Sequence, residues 1–280
     1  MTDDPKIVCA GTLSYITCYN IASLPPCGYG EHAHTTALLG NDAVIAARLL
    51  HAASEQVSCL LLDPTEGDID ALRQATPGME VRAAGRRPGP VTRSAALQDA
   101  AGQRYWLLPP TPAAPKPPFP PPAAAEALLY IDLYDELEEP VLALLAEWAP
   151  NRLIINLSGS RHSAKSARLA ALRPLLVQAS LPNAAAPAAL TGAARKLRST
   201  AHASYALVSA GSCGFTLAGA DGTWLRTPVR IVSGAALGAG AALAAGALAS
   251  LAHGIGGAEL ADAAARGAAA YLAGTGGGGP

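Results

Sequence analysis

Gly238-Ala239-Gly240-Ala241 lies inside a run from Ile231 to Ala252 that contains no charged residue. A short Gly-Ala-Gly turn that opens a helix presents backbone N–H groups lacking an intrahelical acceptor, together with the positive end of the helix dipole. This arrangement suits the oxygens of a phosphoryl group. No acid closes the turn; its last residue is Ala241.

Acids that could do proton chemistry in its place are Asp42, Asp132, Asp135 and Asp221. Asp132 ends an apolar, strand-like run. Asp42 opens a helix-like segment, where a carboxylate is also favoured by the dipole alone. Asp135 and Asp221 read as exposed loop acids. Glu31, His32 and His34 in YGEHAHTT resemble metal ligands superficially, since two histidines two residues apart can chelate from a strand. A third ligand is not evident, and an ordinary surface role is the better reading. Ser158 and Ser212 have no partnering histidine and acid, so nucleophilic catalysis rests on residue type alone. Cys9, Cys18, Cys27, Cys59 and Cys213 show no Cys-x-x-Cys spacing and read as reduced, mostly buried thiols.

Apolar strand-like runs alternate with helix-like segments, which predicts a mostly parallel sheet covered on both faces. Strands are expected at Ile7–Ala10, Val57–Leu62, Leu128–Leu133, Leu153–Leu157 and Leu175–Val177, and helices at Asn41–Ala53 and Asp68–Gln74. Asp63-Pro64-Thr65 punctuates the second strand before its helix. In open α/β sheets ligands collect at the carboxyl ends of the strands, so residues there are the ones to examine. Between Pro109 and Pro122 the chain reads PPTPAAPKPPFPPP, a composition that favours an extended spacer or surface loop.

The chain has 280 residues, 50% hydrophobic and 15% charged, which is enough to bury a full-sized core. Its net charge is −1 with the basic residues scattered, so neither a nucleic acid nor a membrane surface is an expected partner. The uncharged run from Ile231 is long enough to raise a transmembrane helix. It is mostly Ala and Gly without aromatic or basic flanks, and a central helix buried against a sheet accounts for it better. The start, MTDDPKIV, lacks the features of a secretory signal, which points to the cytoplasm.

The segment Ser233 to Gly246, SGAALGAGAALAAG, resembles the C-terminal signature of the ribokinase/PfkB family of sugar and nucleoside kinases. The likeness extends over nearly the whole chain. IVCAGTLS at Ile7 to Ser14 is similar to the family's first strand, and GPVTRSAALQDAAGQRYWLL to its lid strands. Ser209 to Gly214 followed by FTLAGADG is similar to the strand-turn-strand beside the nucleotide, and Gly256 to Gly276 to the last helix. Asn156-Leu157-Ser158-Gly159 resembles the N-L-S-A of the adenosine-kinase branch.

This resemblance implies a single ribokinase-like α/β domain over residues 1–280, a central mostly parallel sheet flanked by helices, with a small β lid from about 14–40 and 88–107. It implies an anion hole at Gly238, Ala239 and Gly240, nucleotide contacts at Asn183, Ser209, Gly211 and Gly214, and substrate contacts at Ser14, Gly40, Asn41 and Asp42. The family would use ATP and Mg²⁺. Its general base, however, falls at Ala241, the acid that organises magnesium falls at Ala186, and the acid that holds sugar hydroxyls falls at Ile16. General-base catalysis is worth about 10²- to 10⁴-fold.

Three vacated positions lead to the expectation of a catalytically impaired or repurposed relative that binds a nucleoside, sugar or nucleotide, or a partner. The alternatives are an active ATP-dependent kinase with a displaced base, and a structural homodimer subunit pairing through lid strands.

Overall fold

The computed structural model describes residues 7–23, 33–99, 104–108, 127–134, 138–148, 150–157, 168–181, 186–227 and 237–275. In chain order the strands are β1 (Ile7–Gly11), β2 (Tyr15–Asn20), β3 (His34–Leu39), β4 (Val57–Leu62), β5 (Glu80–Ala84), β6 (Arg93–Gln98) and β7 (Arg104–Leu107). They continue as β8 (Leu128–Asp132), β9 (Leu153–Asn156), β10 (Leu176–Ser180), β11 (Tyr205–Ser209), β12 (Phe215–Ala218) and β13 (Thr223–Arg226). The helices are α1 (Asp42–Ala52), α2 (Glu66–Ala75), α3 (Glu138–Trp148), α4 (Pro187–Thr200), α5 (Ala239–Ala252) and α6 (Gly257–Thr275).

Nine strands form one sheet in the order β13-β12-β11-β10-β9-β8-β1-β4-β5. The seven from β5 to β11 run parallel, and β12 and β13 are antiparallel additions at one edge. Such a sheet is stable because both faces are covered. Side chains of α1, α2, α5 and α6 pack on one face around Cys9, Leu61, Tyr130 and Leu176. Those of α3 and α4 pack on the other around Ile131, Ile155 and Val177.

The uncharged run ends in α5, a helix apolar all round, as a buried central helix should be. Gly246 faces the Ala263 carbonyl of α6 and Gly267 faces the Ala242 carbonyl of α5, so the two backbones approach where any side chain would intrude. Among the described residues no helix is long and apolar enough to cross a membrane. Residues 228–236, the Pro-rich segment and Asn183 lie outside the described residues, as do Glu31, His32, Asp135 and Ser158.

Four strands form a second, small sheet, β3-β2-β6-β7, inserted between β1 and α1 and between β5 and β8. It is the small β lid. Two element boundaries differ from the sequence reading by more than one residue. The tenth strand extends to Ser180 rather than ending at Val177, because its polar Gln178 lies fully buried inside the strand. Helix α2 starts at Glu66 rather than Asp68, because Thr65 caps it.

Candidate functional site

Helix α5 begins with Gly238 in the left-handed region at φ 87°, with no side chain capping it and no acidic residue in its first turn. The N–H groups of Ala239, Gly240 and Ala241 are those that helix geometry leaves without an intrahelical acceptor. Tyr271 of α6 fixes the approach by donating its hydroxyl to the Leu237 carbonyl at 2.8 Å. A Cβ on Gly238 would stand 2.5 Å from that hydroxyl, so glycine is required there by conformation and by space. Ala241 is fully buried, a methyl group in the core.

Beneath α1 and α5 the sheet carries a polar rung. Asp132, Asn156 and Gln178 are register partners on the adjacent strands β8, β9 and β10, and all three are 0% exposed. Each makes bonds that offset its burial. The Asp132 carboxylate accepts from the Ala43 amide of α1 at 3.0 Å and from Asn156 Nδ2 at 2.8 Å. The same Asn156 amide donates to Asp42 at 3.0 Å, and the Asp42 backbone N–H points to the Tyr134 hydroxyl at 3.4 Å. Gln178 Nε2 donates to the Gly240 carbonyl at 3.0 Å.

Asp132 therefore caps α1 from another strand, a task that Asn41, the N-terminal neighbour of α1, leaves undone. Gly11 makes room for this. A Cβ on it would stand 2.7 Å from Asp132 Oδ2 and 2.9 Å from the Ala43 side chain. Burial pushes the Asp132 carboxyl up to about 8, and the negative charge of Asp42 pushes the same way, against hydrogen bonds from Asn156, Ala43 and Tyr134. Burial and the neighbouring charge thus both favour the protonated form of Asp132.

Asn41, with its side chain free of capping, stitches the lid to the core. Its Nδ2 donates to Thr12 Oγ1 at 2.7 Å and its Oδ1 accepts from Ser14 Oγ at 3.3 Å, while Ser14 and Ser94 hydroxyls meet at 2.8 Å. Gly40, at φ 115°, donates its amide to the Ser14 carbonyl at 2.9 Å. The predicted substrate residues Ser14, Gly40, Asn41 and Asp42 thus come together at the carboxyl end of β1. Ile16 points to the lid's inner side, buried with Cys18 and Ala96 against Leu237 just ahead of Gly238.

Ser209 ends β11 with its hydroxyl 3.2 Å from that of Ser180 on β10. Gly211, at φ 48°, and Gly214, at φ 88°, bracket a tight turn into β12. Gly214 packs on the Arg226 carbonyl so closely that no side chain fits, which is a hairpin requirement independent of any ligand. Ala186 is the N-cap of α4 and offers no side-chain bond. Asp221 is exposed, and His34 sits at the exposed start of β3. Among the described residues no group of three His, Cys, Asp or Glu side chains could hold a metal. Cys9 and Cys59 face each other across β1 and β4 with thiols raised by burial, Cys59 to about 12, so both stay protonated.

Sequence reasoning missed Gln178 altogether and treated Asn156 only as part of a motif. The signal was one polar residue near the end of each of three successive apolar runs, LLYID, LIIN and LVQAS.

No family model and no curated protein matches the sequence. Solved structures do match the fold. A ribokinase from Thermotoga maritima aligns at TM-score 0.68 and 13% identity, over 96% of this chain and 92% of that one. Phosphofructokinase-2 from Escherichia coli, in complex with substrates and products, aligns at 0.68 and 18%, over 95% and 93%. A microbiome-derived acarbose kinase aligns at 0.65 and 17%, over 96% and 92%. At these identities the fold is what is shared: the chain has a ribokinase-like α/β fold.

Proposed function

We propose that this protein binds a small polar molecule, a nucleoside, sugar or nucleotide, in a ribokinase-like crevice and transfers phosphoryl groups slowly or not at all. The observation that carries this is the start of α5: an uncapped N-terminus suited to an anion, followed by a buried Ala241 and no acid in the first turn. Ile16 and Ala186 add to it, since neither can hold a hydroxyl or organise a cation. The residues present fit the phosphates of ATP at Gly238, Ala239 and Gly240. They do not fit magnesium, because the Ala186 position has only a methyl group and Asp132 is wholly buried on the Ala43 amide of α1.

In this reading the chain's own groups bind and orient. The α5 amides take anionic oxygens, while Asn41, Asp42 and Ser14 meet hydroxyls from the lid side. Lid closure would exclude water. The setting is cytoplasmic, without nucleic-acid or membrane partners. Calorimetric titration with ATP and with nucleosides, with and without Mg²⁺, tests it. Binding without product is expected; tight magnesium-dependent ATP binding with product formation would sink the reading. Ala241→Asp alone is expected not to create turnover, because the Ala186 and Ile16 positions stay vacant.

A second reading, an active kinase with a displaced base, is favoured by the Asp42–Asn156–Asp132 cluster, where burial and the charge of Asp42 make Asp132 more basic than a lone carboxylate. Product formation that disappears in Asp42→Asn would support it. A homodimer through the lid is the third. Register places Tyr15, Tyr19, Leu97, Tyr105 and Leu107 on one outer face, with Tyr105 45% and Leu107 62% exposed. Sedimentation equilibrium of the wild type and Leu107→Glu decides it.

A further inference from the structure

Burying an uncharged amide in a parallel strand is unfavourable unless both of its ends are bonded. Gln178 is such a residue, 0% exposed between Asn156 on β9 and Leu207 on β11. Its Nε2 donates to the Gly240 carbonyl at 3.0 Å, and its Oε1 accepts from the Tyr130 hydroxyl at 3.4 Å. Tyr130 is itself 0% exposed, one of the largest wholly buried side chains of the core. The Gly240 carbonyl already serves the α5 backbone ladder, so the Gln178 bond is an added tether from the sheet to the first helical turn. No capping side chain performs that service at α5.

We infer that Gln178 is a positioning residue for the anion turn: it holds the first turn of α5 wound and aimed, so that the Ala239 to Ala241 amides converge on one anion. The direction of the bond matters. A donor placed on the Gly240 carbonyl draws on the oxygen side of the turn and leaves the N–H side for ligand. Gly240 also sits close to the tether, for among the described residues a Cβ there would meet Gln178 Nε2, at 3.9 Å. Side by side in the rung, Asp132 holds α1 by its Ala43 amide and Gln178 holds α5 by its Gly240 carbonyl. One line of three residues thus sets the relative position of the two helix starts. The inference rests on the reading of the turn as an anion site.

The test uses Gln178→Met, which keeps length and apolar volume while removing both bonds, with Thr216→Val as a control. Thr216 is equally buried in β12, and its hydroxyl has no hydrogen-bond partner among the described residues. Two readouts are taken on the full chain. Amide exchange is expected to quicken about tenfold at Ala242, Leu243 and Ala244 and to stay unchanged at Ser250 and Leu251. Tripolyphosphate affinity is expected to fall about three- to tenfold, the loss of one hydrogen bond's worth, and to be unaffected in Thr216→Val. Unchanged exchange in the first turn of α5, or a tripolyphosphate affinity equal to wild type, overturns the assignment. If the wild type takes no tripolyphosphate, the anion-site reading falls, and exchange alone decides whether Gln178 holds the turn. Should Gln178→Met fail to fold, Tyr130→Phe, which removes only the hydroxyl behind the amide, carries the same test with a smaller shift in the same direction.

Discussion

Helices α2 and α5 both start at the carboxyl edge of the large sheet, and their N-termini are built in opposite ways. At α2 the chain satisfies its own donors. Thr65 Oγ1 accepts from the Asp68 amide at 3.0 Å, and Asp68 Oδ2 accepts from the Thr65 amide at 2.9 Å, a complete capping box. Asp68 also takes the Thr92 amide at 2.6 Å and the Thr92 hydroxyl at 2.8 Å, which ties the entry into lid strand β6 to the core. Gly67 lies against the backbone of Pro90 and Val91. At α5 the cap is a left-handed glycine, no acid lies in the first turn, and the Gln178 tether goes to a carbonyl rather than an amide. A helix start is available to a ligand only where the chain has not already filled it.

The largest effect expected from this contrast is at Asp68. It is 1% exposed and its carboxylate receives three donors, the Thr65 amide of the box and the amide and hydroxyl of Thr92, so Asp68→Ala strands buried N–H and O–H groups. Unfolding in urea is expected to show a loss of about 3 kcal/mol, with tripolyphosphate affinity at α5 unchanged. A loss below about 1 kcal/mol would mean that water reaches the α2 start, and the closed-versus-open distinction would fail.

The next effect is at Gly238. Alanine there meets both a positive φ of 87° and the Tyr271 hydroxyl at 2.5 Å. Gly238→Ala is expected to cost about 2 kcal/mol of stability and to abolish anion binding, measured by the same denaturation and titration. Retained binding would show that the turn does not need its left-handed start.

How much of this was legible in the sequence differs between the two helix starts. Gly238-Ala239-Gly240 opens a helix where the pattern puts one, whereas the capping box of Thr65-Glu66-Gly67-Asp68 escapes a sequence reading that starts its helix at Asp68. Local chemistry dictates both. The buried runs at Ile7, Val57 and Leu128 became strands because only a covered parallel sheet accommodates residues apolar on both faces. The polar rung was harder to see. Asp132, Asn156 and Gln178 are more than twenty residues apart in sequence and become neighbours only through strand order. A single polar residue in a short apolar run reads as the end of the strand, which is why Gln178 shortened the expected β10. Ile16 was read as a vacated acid, and the structure adds that its side chain fills an apolar contact with Leu237.

Helix α1 lies between the two extremes, capped by an acid from another strand, and pH tests that arrangement. Asp132 is raised to about 8 by burial and by Asp42, above the ordinary carboxylate range that the unfolded chain returns to. The folded state therefore holds the proton more tightly. Its contribution is fully present below the unfolded value and is lost as pH rises towards about 8. Denaturation at a series of pH values is expected to show a fall on the order of 1 kcal/mol between about pH 6 and pH 7, much reduced in Asp132→Asn. A wild type whose stability rises over that interval would mean that Asp132 is ionised at neutral pH in the folded chain.

The smallest effect is expected at Gly240, and it separates the two glycines of one turn. Gly240 has helical backbone geometry, and among the described residues a Cβ on it would meet Gln178 Nε2 at 3.9 Å, an ordinary contact. Gly240→Ala removes glycine's backbone entropy penalty in a helix, so stability should stay within about 0.5 kcal/mol of wild type or rise slightly. If that methyl group nevertheless weakens tripolyphosphate binding, glycine at this position serves the close approach of a ligand to the helix backbone. If binding is unchanged, the left-handed start at Gly238 and the Gln178 tether suffice to make α5 the open counterpart of α2.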